Sequence, residues 1–130
     1  MFLIRPKFAL TLSLLFFACC SVLAAGIAGT WSGTSICTIK DSPCHDENVI
    51  YHITEPDPAG RLQIQADKIV NGKPDDMGTL DCTFDAKSST ITCLIDKGKF
   101  EFKVTGDKMS GTLVLTDGRL FRNINLTKDK

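Results

Sequence analysis

The densest run of residues able to do chemistry is Pro43-Cys44-His45-Asp46-Glu47, an imidazole and two carboxylates behind a cysteine. Such a set could ligate a metal or recognise a charged partner. Successive side chains of an extended segment point to opposite sides, so three in a row do not converge on one ion. No metal and no cofactor is therefore expected, and partner recognition is the better reading of His45, Asp46 and Glu47. Other charged groups gather at predicted turns: Asp75 and Asp76 near Lys73, and Arg119 after Asp117. His52 alternates with Val49, Tyr51 and Ile53 and is expected to face solvent, with Tyr51 facing the core.

Catalytic signatures are missing. The chain has no nucleophile elbow, no H-E-x-x-H, no glycine-rich phosphate loop and no CxxC, so a non-enzymatic role is expected. Asn125-Leu126-Thr127 matches the glycosylation pattern but falls in a terminal strand and carries no functional reading.

The residues that must position these groups begin with a secretory signal over positions 1–24. Arg5 and Lys7 give a positive head, Phe8 to Phe17 an apolar run, and Val22-Leu23-Ala24 a small-residue cleavage site. The apolar run is too short for a membrane anchor, which needs roughly 20 residues. Acylation at Cys19 is disfavoured because Phe16-Phe17-Ala18 departs from a lipobox. A periplasmic or secreted product is expected, with one domain over positions 25–130.

The whole chain carries 15 basic and 15 acidic side chains; without Arg5 and Lys7 the balance is 13 against 15, or −2. That charge offers no electrostatic reason for nucleic acid or an anionic membrane as partner. Four cysteines remain beyond the signal: Cys37, Cys44, Cys82 and Cys93. Their C-x6-C and C-x10-C spacings suit disulfides in an oxidising compartment better than a four-thiolate zinc site.

Period-two alternation, punctuated by turn residues, predicts eight strands: Gly29–Ile39, Glu47–Glu55, Arg61–Val70, Met77–Asp85, Thr90–Asp96, Lys99–Thr105, Met109–Leu115 and Arg119–Thr127. A hairpin closed by Asp85 and Thr90 sets Phe84 opposite Ile91, Cys82 opposite Cys93 and Leu80 opposite Ile95. Directly opposed cysteines in a non-hydrogen-bonded pair are near enough to bond, so Cys82–Cys93 is the expected bridge and Cys37–Cys44 follows by elimination. A turn at Asp117-Gly118 pairs Leu115 with Leu120, Leu113 with Arg122 and Gly111 with Ile124. Arg122 then faces inward, where it needs a partner.

Eight hairpin-linked strands with one apolar face can bury it in a barrel, which also removes sheet edges, or in a β-sandwich. Gly29-Thr30-Trp31 at the start of the first strand and Arg122 in the last make the chain resemble the calycin superfamily: lipocalins, fatty-acid-binding proteins and avidins. The resemblance implies an all-β, antiparallel, eight-stranded up-and-down barrel. It also implies that Trp31 seals the closed end with Arg122 stacked on its indole, and that the opposite rim is the open one. In size the chain is nearer to avidins, or to small periplasmic inhibitors of metalloproteases, than to typical lipocalins.

Two binding roles follow. Either the open-end loops engage another protein, or the barrel carries a small apolar ligand. The expected interior includes Trp31, Tyr51, Phe84, Phe100, Phe102 and Met109, with only Gly33, Ser35, Ala66 and Gly111 small. An eight-stranded barrel holds side chains or one small ligand, not both, so the protein-facing role is favoured.

Overall fold

The computed structural model describes residues 26–130, so the signal assigned to positions 1–24 lies outside the described residues. Eight antiparallel strands close a barrel in sequence order: β1 Gly29–Cys37, β2 Glu47–Ile53, β3 Arg61–Val70, β4 Lys73–Asp85, β5 Thr90–Ile95, β6 Gly98–Thr105, β7 Lys108–Leu115 and β8 Leu120–Lys128. Several, such as β2 and β5, are rich in β-branched and aromatic residues that pack on a half-buried pleated surface. Alternation then decides the faces. In β2, for example, Val49, Tyr51 and Ile53 are buried while Asn48 and His52 are exposed.

The core runs the length of the barrel. Trp31 closes one end at 0% exposure, and its indole N–H donates to the Ile27 carbonyl at 2.9 Å. Phe102, also at 0%, fills the middle, with Tyr51 edge-on at 6.0 Å and Phe100 stacked at 5.9 Å. Gly111 leaves room for that ring: a Cβ there would meet Phe102 Cδ1 at 2.3 Å.

Both expected bridges are present, Cys37–Cys44 and Cys82–Cys93. Cys82 lies directly across from Cys93, with Phe84 across from Ile91. Two disulfides fit an oxidising compartment.

Four local expectations are corrected. The fourth strand starts at Lys73 and not Met77, because Asn71 and Gly72, with φ of 51° and 76°, complete a two-residue turn by themselves. A bulge opposite Ala66 and Asp67 absorbs one residue of β4. The β4–β5 ladder ends at Cys82↔Cys93, so Leu80 is not paired with Ile95. In the last hairpin Leu113↔Arg122 and Gly111↔Ile124 hold, but the register shifts beyond them and Leu120 pairs with Val114, not Leu115. The remaining strand ends differ by a residue or two.

Arg122 also departs from expectation. It does not stack on Trp31. Trp31 pairs with Lys128, whose Nζ lies 5.9 Å from the ring centroid, whereas Arg122 pairs with Cys37 six residues further along β1. The basic group over the indole is thus a lysine at the very end of β8, also bonded to the Gly26 carbonyl at 2.5 Å.

Candidate functional site: the loop end opposite Trp31

The loops after β1, β3, β5 and β7 share the end opposite Trp31. Main-chain bonds tie neighbours there: Thr38 N–H donates to Phe121 O at 3.1 Å, and Thr116 N–H to Lys97 O at 3.0 Å. The loop at 38–46 is held twice, by the Cys37–Cys44 bridge and by Cys37 N–H donating to Asp46 Oδ1 at 2.8 Å. Asp41 takes a left-handed φ of 59° inside it.

The six expected rim residues separate into different roles. His45 is exposed on the tied loop. Asp46 is spent on the Cys37 amide. Asp75 lies 3.9 Å from Lys68 on the β3–β4 hairpin. Asp76 accepts from Gln65 Nε2 at 3.0 Å and from Gly78 N–H at 2.7 Å, which hold its carboxyl below the usual carboxylate range. Arg119 is paired with Asp117 at 2.7 Å, and its main-chain N–H, followed by that side chain, lowers the Asp117 carboxyl likewise.

Glu47 is the departure. It faces inward with Val49 and Tyr51, and its Oε2 lies 3.7 Å from Arg122 Nη1. The same guanidinium nitrogen donates to Ser35 O at 3.2 Å and Ser35 Oγ at 3.1 Å, while the Phe121 ring lies beside it, 5.6 Å from Cζ. Tyr51 lies deeper. Burial pushes its phenol up to about 12; the Arg122 charge opposes this and Glu47 adds to it. Ser35, Glu47, Tyr51 and Arg122 thus form a polar neck below the rim. Period-two parity from Val49 and Tyr51 places Glu47 inside, and that signal was available in the sequence.

A second polar row lies on the outer wall. His52 Nε2 is 3.2 Å from Asp67 Oδ2, and its Nδ1 is 3.4 Å from Thr30 Oγ1. A hydroxyl activated by an imidazole needs about 2.6–3.2 Å, and this row sits on an open sheet face. Its arrangement is that of a cross-strand polar ladder. Among the described residues, no three metal-ligating side chains come together.

Below the neck the interior is lined by packed apolar side chains, of which Trp31, Ile64, Ile91, Cys93 and Phe102 are fully buried. Outside, a groove of about 510 Å³ crosses the wall where β4 and β5 part; its lining includes Asp81, Thr83, Thr92 and Leu94. No protein-family model matches the chain, and no curated protein matches it.

Proposed function

We propose that this protein is a non-catalytic exported module, periplasmic or secreted, that engages a protein partner through its open end in the manner of an inhibitor. The reading treats the barrel as calycin-like, on Gly29-Thr30-Trp31 and the strand order. One observation supports it: Phe102, Trp31, Ile64 and Ile91 are fully buried bulky side chains in the interior of an eight-stranded barrel, which holds side chains or one small ligand. The rim, by contrast, is braced for recognition. A disulfide and a side-chain cap rigidify the loop that bears His45, and preorganised loops lose less entropy on binding.

Native mass spectrometry of the protein from its own host, before and after denaturation and refolding, tests the reading. A bare mass in both states is expected, together with a protein partner whose capture weakens on His45→Ala and Arg119→Ala. A small molecule present before refolding and absent after it would instead make the barrel a carrier.

A further inference from the structure

The barrel closes unevenly. The β3–β4 seam runs from Val70↔Lys73 to Arg61↔Thr83, whereas the β4–β5 seam holds only from Cys82↔Cys93 to Asp85↔Thr90. Beyond the Cys82–Cys93 bridge the two strands fork. β5 continues to Ile95, paired with β6 alone, and β4 continues to Lys73, paired with β3 alone. Residues 73–79 are all exposed.

Main-chain alternation says which groups this edge offers. Phe84 N–H donates to Gly60 O on the β3 side. Leu80 and Cys82 therefore also address β3; Thr79 turns its N–H and C=O to the free side, and Asp81, where the seam with Leu94 ends, turns its N–H there. At the tip, Lys73 and Val70 flank the two-residue turn and exchange bonds, so the missing N–H of Pro74 falls on the free side.

Side chains around the fork are of two kinds. Asp75, Asp76 and Asp81 make the edge acidic, countered by Lys73 and by Lys68 across the hairpin. Apolar groups stand exposed beside it: Met77 at 42%, Val70 at 43% and Leu94 at 74%, the last in the outer groove. A second copy pairing along this edge would bring acidic strand against acidic strand, and Pro74 shortens the run available to it.

The geometry points to strand addition: an extended segment of a protein partner, basic with alternating apolar residues, pairs with the free edge of β4 at Thr79 and Asp81 and sets an apolar side chain on Leu94. Main-chain bonds then supply attachment, and the carboxylates supply selectivity. This deepens the protein-facing reading above and rests on it.

The test uses the folded chain and a synthetic peptide in which lysine alternates with valine over about seven residues, the length of a short strand. A second peptide of the same sequence is N-methylated at alternate amides, which keeps its charge and removes its ladder bonds. Backbone NMR should show the Thr79 and Asp81 amides shifting and gaining exchange protection with the first peptide. Affinity should fall at least tenfold with the N-methylated peptide, and likewise with the Asp75→Lys/Asp81→Lys chain, whose fold is checked by circular dichroism. Equal binding of both peptides, shifts centred on the 38–46 loop, or no binding would overturn strand addition. A chain that dimerises through this edge and excludes the peptide would overturn it as well. Failure of the broader reading shows separately, as a small molecule in the native mass spectrum.

Discussion

Arg122 and Glu47 approach to 3.7 Å inside the barrel mouth, from the last strand and the second, with side chains only 14% and 21% exposed. Neither can be removed alone without cost. Glu47→Gln leaves a largely enclosed guanidinium with Ser35 as its remaining partner, and should destabilise by about 1–3 kcal/mol. The double variant Glu47→Gln/Arg122→Met should lose less than the sum of the single changes. Urea unfolding of the four proteins measures this; additive losses would mean that the pair is not coupled.

Tyr51 titrates beside that pair. Its folded phenol is raised to about 12 from 10.0, so the folded state keeps a proton that the unfolded state gives up first. The stabilisation is whole below pH 10.0 and is lost as pH rises towards about 12, by roughly 2–3 kcal/mol. The chain has one tyrosine, so ultraviolet absorbance of the tyrosinate reports it directly. A midpoint near 10.0 in the folded protein would contradict the buried placement.

Trp31→Ala should cost about 3–5 kcal/mol, because the indole is wholly enclosed. It is the single tryptophan, which makes its fluorescence a probe of its neighbour. Lys128→Met should shift that emission, and Arg122→Met should not.

Peptide mapping without reduction should recover Cys82 with Cys93 and Cys37 with Cys44. Replacing either pair by alanine removes a short loop constraint, worth about 2.5–3 kcal/mol in the chain-entropy treatment. A Cys37–Cys93 peptide in quantity would be incompatible with the ladder.

Gly111→Ala should destabilise by about 1–3 kcal/mol, since its Cβ would press on Phe102 and, at 3.0 Å, on the Glu101 carbonyl. Thermal unfolding reads this, and an unchanged midpoint would mean that the ring can give way.

Much of this architecture is local in origin. Alternation of apolar and polar residues along each segment sets which side chains face in, and hairpin turns a few residues long set the register of neighbouring strands. That is why Cys82–Cys93, Leu113 opposite Arg122 and the inward turn of Tyr51 were legible from the sequence. The strand count follows from the same pattern; alternation alone allows a sandwich as well as a barrel, and it was the resemblance carried by Gly29-Thr30-Trp31 and Arg122 that pointed to the barrel.

What tertiary structure decided is non-local. Which basic residue covers Trp31 depends on the β1–β8 seam, which joins the two ends of the barrel and has no turn to define its register. The choice of Lys128 over Arg122 follows from that seam. Glu47 becomes the partner of Arg122 only once Ser35 stands between them on β1. The fork between β4 and β5 arises because the β3–β4 hairpin, bulged at Met77, outruns its other neighbour. Alternation describes one strand and a turn describes two; where a long strand leaves the barrel depends on all of its neighbours at once.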